Sequence, residues 1–136
     1  MESEHLVGDI GQKALIAHEG KVLMCFGPGH DGWSFPGGRL HKNEDPHEGL
    51  HRELKEELGV ETLIGDPIHT FVWYGAPSGL PRFFVVYQAA LANPSQPMIL
   101  EEQEIEKIHW VSKDECEQLP MWDGWRQSLR AYFAQK

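Results

Sequence analysis

The sequence predicts a single domain of the α/β or α+β class over residues 1–136. Three observations carry that expectation. With 136 residues, 40% hydrophobic and 24% charged, the chain has room for one real core. Runs rich in aromatic and β-branched residues recur between clusters of turn formers. Two further segments carry apolar residues at four-residue steps, the mark of amphipathic helices.

In chain order, Gln12 to Cys25 reads as two strands, KALIAH and KVLMCF, turned at Glu19-Gly20. Gly27 to Gly32 is a loop dense in turn formers, and its His30 is read as structural. Trp33-Ser34-Phe35-Pro36-Gly37-Gly38 follows, with Trp33 either core or a pocket wall.

Residues 38–60 predict a loop, a helix and a second loop. Asp45 is a good N-cap, Pro46 suits the first helical position, and Gly59 is a natural stop. Leu50, Leu54 and Leu58 form one apolar stripe. At ~100° per residue, Glu53 and Glu57 fall within about 40° of each other and Glu56 about 60° beyond Glu53. This second stripe is either a solvated acidic face or a cation site. Like charges at this spacing cost roughly 0.2–0.5 kcal/mol per pair. A divalent cation would reverse that sign, and an all-oxygen set suits Mg²⁺ or Mn²⁺. Gly37 and Gly38 let the backbone approach, so a carbonyl at Gly38 is a further oxygen ligand candidate.

Glu61 to Ile64 begins another extended piece, closed by Gly65-Asp66-Pro67. His69 to Tyr74 and Arg82 to Gln88 are strand candidates joined by a hairpin loop at Ala76 to Pro81. The apolar run 83–87 suggests a strand covered on both faces. Ala92 to Pro97 is loop. Glu101, Glu102, Glu104 and Glu106 precede a strand at Ile108 to Val111, and a short helix is expected from a cap near Ser112 to just before Pro120. Trp122 to Phe133 is a closing helix whose Trp125, Leu129 and Phe133 are read as core.

A formal charge of −9 argues against binding nucleic acid or an anionic membrane, which both want a basic surface. No apolar run approaches the ~20 residues of a membrane span, and the acidic N-terminus does not read as a secretion signal. Two distant cysteines, Cys25 and Cys116, predict no disulfide framework and fit a reducing cytoplasm. His47-Glu48-Gly49-Leu50-His51 spells the H-E-x-x-H zinc pattern. It starts in the first helical turn, both His lean toward the leucine stripe, and eight His make a chance match easy. A zinc protease is therefore not the reading.

Gly38, Glu44 and Arg52-Glu53-Leu54-Lys55-Glu56-Glu57-Leu58-Gly59-Val60 match every specified position of the Nudix box, with its five- and seven-residue spacers. The chain thus resembles the Nudix hydrolases of the MutT-like kind, closely over the box and more loosely over its whole length. The resemblance implies an α/β/α sandwich around a mixed sheet. It implies Mg²⁺- or Mn²⁺-dependent hydrolysis of a pyrophosphate bond in a nucleoside diphosphate linked to another group, a nucleotide sugar or a nucleoside triphosphate. In such an enzyme Glu53, Glu56, Glu57 and Glu104, with Gly38, would hold metal. Glu101 is the second choice to Glu104, and either Glu53 or Glu104 would be the base. Arg52 would position a carboxylate. Arg39, Trp33 and Trp73 would meet the substrate, with Tyr74 and Trp122 as further stacking candidates. The resemblance also carries an expectation of a homodimer. The competing class is a non-catalytic nucleotide-binding module on the same fold, but such modules usually lose box glutamates.

Overall fold

Glu19 and Gly20 take positive φ of 50° and 78° and turn β1 (Asp9–His18) back into β2 (Lys21–Phe26). Two left-handed residues match the twist of the flanking strands, which is why this tight hairpin forms. The computed structural model describes residues 4–28 and 31–135, so the loop residue His30 lies outside the described residues.

β1 is the hub of a mixed sheet. It pairs antiparallel with β2 near His18 and with β3 (Gly37–Arg39) through Gly11 to Lys13. On its other side it pairs parallel with β5 (Arg82–Leu91), from Asp9↔Arg82 to Ile16↔Ala89. β4 (Thr62–Trp73) flanks β5 and β6 (Lys107–Val111) flanks β2, giving the order β4-β5-β1-β2-β6.

Alternation along β1 sends Ala14 and Ile16 to one face and Leu15 to the other. Helix α1 (Pro46–Leu58) covers the first face with Leu50, Leu54 and Leu58. Helix α2 (Asp123–Ala134) covers the second with Trp125, Leu129, Tyr132 and Phe133, against Val22, Met24, Phe84 and Val86. The result is the α/β/α sandwich, with a separate apolar core on each side of the sheet.

Two expectations are corrected. The piece at Glu61 to Ile64 and the strand at His69 are one strand, β4, with register shifts between Ile64 and Pro67 and between Pro67 and His69. Gly65-Asp66-Pro67 does not end it, because β4 is an edge strand where an imino nitrogen forfeits no ladder bond. The helix expected before Pro120 is instead a run of turns. Glu115 N bonds Ser112 O and Gln118 N bonds Glu115 O, both three residues back, and Pro120 leaves no length to propagate a helix. Glu115 Oε1 does accept from Ser112 N and Oγ at 3.0 and 3.1 Å, a cap-like pair with no helix behind it. Among the described residues no helix is long and apolar enough to cross a membrane.

Candidate active site

Both ends of α1 are pinned. Asp45 accepts from His47 N at 3.1 Å and Glu48 N at 3.2 Å, while Gly59, at φ 67°, donates to Lys55 O. The leucine stripe then fixes the helix rotation, and Glu53, Glu56 and Glu57 face a cleft instead of the sheet. Gly37 N donates to Glu57 Oε1 at 2.8 Å, tying the helix to β3. A Cβ at Gly38 would lie 2.6 Å from the Glu53 carboxylate, so the missing side chain makes that close approach.

Arg52 organises the acids. It grips Glu44 with two hydrogen bonds, Nε to Oε2 at 2.8 Å and Nη2 to Oε1 at 3.1 Å. Its Nη1 lies 3.1 Å from Glu53 and 3.3 Å from Glu56. Glu44 also accepts from His41 N, closing the loop ahead of the helix. The Arg52 hydrogen bond is the main reason the Glu44 carboxyl falls to about 2. Gly49 belongs to this brace, because a Cβ there would sit 2.7 Å from Glu44 Oε1. Sequence reasoning left Gly49 out, as a helix-interior glycine carries no signal of what packs on it.

The cleft encloses about 550 Å³ and brings together Gly37, Gly38, Arg39, Glu53, Glu56, Glu57, Arg82, Glu101, Gln103 and Glu104. Glu101 and Glu104, far along the chain, arrive because Glu101 N bonds Glu57 O at 2.9 Å. Burial lifts the Glu57 carboxyl to about 7; Lys13 and Gly37 N pull it down, and Glu53 and Glu104 push it up. Among the described residues no three acidic or imidazole side chains already converge as a cage. Arg52 and Gly37 N hold the carboxylates instead, and a cation would draw them inward. The donor set fits a hard divalent ion, with carboxylate and carbonyl oxygens only and one buried acid that Lys13 and Gly37 N offset only in part.

A pH effect follows. A raised carboxyl binds more protons folded than unfolded, so its contribution lowers stability as pH rises from about 4.5 through about 7. An ion held by Glu57 must displace that proton. Mg²⁺ binding is expected to release protons near pH 6.5 and to tighten toward pH 8, as calorimetry in buffers of different ionisation enthalpy measures.

A second cavity of about 230 Å³ is walled by Trp33, Trp73, Phe84, Trp122 and Trp125, with Lys13, Asp31, Ser34 and Arg82 as its polar groups. Trp73 and Trp122 stand 4.5 Å apart between centroids, and Trp122 stacks on Trp125 at 6.0 Å and 7°. Trp33 and Trp73, taken from sequence as substrate contacts, line this cavity, whereas Arg39 lines the acidic cleft. Tyr74 is 72% exposed and not among the lining residues. Trp125 is core, as expected, and also forms the cavity wall; Lys13, Phe84 and Arg82 were not singled out, since strand residues on one face are indistinguishable from core in a linear pattern. His47 stands edge-on to Tyr87, and His51 Nδ1 lies 3.4 Å from Thr62 Oγ1, so both are engaged by packing.

Comparison with known proteins places this geometry. A family model described as NUDIX domain matches residues 11–133. The RNA pyrophosphohydrolase of Xylella fastidiosa (strain Temecula1 / ATCC 700964) is 33% identical over 117 residues, 82% of this chain but 58% of that protein. The chain therefore spans little more than half the length of that relative. The CTP pyrophosphohydrolase of Escherichia coli (strain K12) is 28% identical over 125 residues, 89% of this chain and 88% of that protein. The solution structure of the E. coli ORF135 protein superposes with a TM-score of 0.77 at 25% identity, covering 95% of this chain and 91% of that one.

Proposed function

The chain belongs to the Nudix family, and from that premise we propose that it is a divalent-metal-dependent pyrophosphohydrolase acting on a small nucleotide. The observation that carries this reading is the adjacency of the two cavities. An oxygen-lined acidic cleft and an indole-lined chamber share Arg82 as a wall residue. A base stacks among Trp33, Trp73 and Trp122. The phosphates then extend into the cleft under Glu53, Glu56, Glu57 and Glu104.

These glutamates, with the Gly38 backbone, would hold Mg²⁺ or Mn²⁺. When bound, the ion supplies charge neutralisation at the phosphates and a more acidic water. Water attacks one phosphorus of the anhydride, its proton passes to a carboxylate, and the P–O bond to the leaving phosphate breaks. Of the two candidates, Glu104 is the one this reading assigns to take that proton. Glu53 leans on the Arg52 guanidinium at 3.1 Å, whereas Glu104 lines the cleft with no cationic side chain against it among the described residues. Arg52 positions Glu53 and Glu56 through the Glu44 brace. The two free, buried cysteines suit a reducing cytoplasm.

Nucleoside triphosphates stand ahead of nucleotide sugars, because the relative named for CTP is matched over 88% of its length. An RNA 5′ end is the less favoured substrate, given the formal charge of −9 and the 58% coverage of the relative named for RNA. A panel of nucleoside triphosphates, nucleotide sugars and 5′-triphosphorylated RNA, assayed with Mg²⁺ for released phosphate or pyrophosphate, tests the reading. Turnover of a nucleoside triphosphate supports it. Mg²⁺-independent binding of nucleotides with no turnover in any arm would make the chain the non-catalytic module instead.

A further inference from the structure

We propose that Arg82 binds the phosphate joined to the nucleoside, and so couples occupancy of the indole chamber to alignment of the anhydride in the acidic cleft. This rests on the hydrolase reading above and adds to it a specificity-determining residue outside the box.

Arg82 opens β5, where it pairs with Asp9 of β1 on one side and Trp73 of β4 on the other. Strand alternation puts it on the same face as Phe84 and Val86, which pack toward α2. Its guanidinium carbon sits 5.5 Å from the Trp73 ring centroid, at the wall of the chamber. No other residue lines both cavities among those described.

The side chain is 19% exposed, and its Nε is buried with no hydrogen-bond partner among the described residues. Asp9 does not satisfy it. Asp9 Oδ2 lies 3.7 Å from Arg82 Nη2 and 3.8 Å from Arg39 Nη1, within ion-pair range of both and hydrogen-bonded to neither. One carboxylate thus neutralises one of two guanidiniums and leaves donors unspent. A buried donor without an acceptor is unfavourable, and a nucleotide spanning the two cavities would place a phosphate beside it. A planar guanidinium offers Nε and Nη to two oxygens at once, which a lysine ammonium cannot do. The cation–π contact with Trp73 keeps the guanidinium at the chamber wall before the ligand arrives. The cleft beyond it carries five glutamates, so the phosphate nearest the nucleoside needs a cation from the protein itself. The ligand class is therefore a nucleoside 5′-phosphate; a nucleoside alone fills the chamber without engaging Arg82.

The test needs no metal. Adenosine, guanosine, cytidine and uridine, and their 5′-monophosphates, are titrated in EDTA against the wild-type chain, Arg82→Gln and Arg82→Lys, reading tryptophan fluorescence. Thermal unfolding confirms that each variant is folded, and Arg82→Lys serves if Arg82→Gln is not. The wild type should bind at least one monophosphate about 10-fold or more tighter than its nucleoside, the scale of charge-assisted hydrogen bonds. Arg82→Gln should erase that advantage and leave nucleoside affinity within about 2-fold; Arg82→Lys, which keeps charge without the fork, should retain only part of it. The proposal is overturned if the wild type shows no phosphate advantage, if the advantage survives in the variants, or if nucleoside and monophosphate affinities fall together, which would make Arg82 only a prop for Trp73. Turnover in the nucleotide panel is read separately. Turnover with an Arg82-independent phosphate advantage sinks this assignment alone, and Arg82-dependent binding without turnover sinks the hydrolase reading alone.

Discussion

Glu57→Gln is expected to cut Mg²⁺-dependent phosphate release by roughly two orders of magnitude or more, with the fold intact. Glutamine keeps the shape and can still accept from Gly37 N through its amide oxygen. It removes the charge of the one cleft glutamate that burial raises to about 7, the group with most to gain from a cation. For the same reason the metal-free variant should unfold no earlier than the wild type above pH 7, since the cost of ionising a buried carboxyl is gone. Turnover and thermal midpoint, measured on the same preparations, check both halves. Near-normal turnover would contradict the assignment of Glu57 to the metal site.

The neighbouring glycines should separate stability from activity. Gly37 has φ 139°, and a Cβ there would lie 2.1 Å from the backbone oxygen of Gln12 in β1. Nothing in that pair can yield without moving a strand. Gly37→Ala should therefore cost about 3 kcal/mol or more, a fall on the order of 10 °C in Tm for a domain of this size. At Gly38 the atoms in the way belong to the Glu53 carboxylate, the mobile end of a side chain. Gly38→Ala should leave stability within about 1 kcal/mol and lower turnover about 10- to 100-fold by pushing Glu53 out of register. Equal effects of the two substitutions on Tm would show that Glu53 does not sit against Gly38.

Helix α1 was legible in the sequence to within a residue, because Asp45, Pro46 and Gly59 are cap signals with a local physical basis and the leucines fix the buried face. The β1–β2 hairpin was legible from its Glu19-Gly20 turn, and α2 from its apolar stripe alone, since no side chain caps its start. Local signals failed where tertiary position decides the outcome. Gly65-Asp66-Pro67 reads as a strand end, and only the place of β4 at the sheet edge lets one strand run through it. Ser112 and Glu115 make the cap of a helix that Pro120 then leaves no room to build. In the site, the box glutamates announce themselves by spacing, and Glu101 and Glu104 reach the same cleft through a backbone bond that no pattern encodes. Arg82 and Lys13 carry no motif at all. Their importance comes from the face of the sheet they share, where both line the indole chamber and Arg82 also lines the acidic cleft.

Hydrolysis by this chain requires one ion among those carboxylates. The most direct measurement is the anomalous signal from crystals of this chain grown with Mn²⁺ and a nucleoside monophosphate. A peak is expected about 2.1 to 2.2 Å from oxygens of Glu57 and at least one of Glu53, Glu56 and Glu104, with the Gly38 carbonyl close by. Crystals soaked in excess Mn²⁺ with no peak in the cleft, and Glu53 and Glu56 still resting on Arg52, would contradict it.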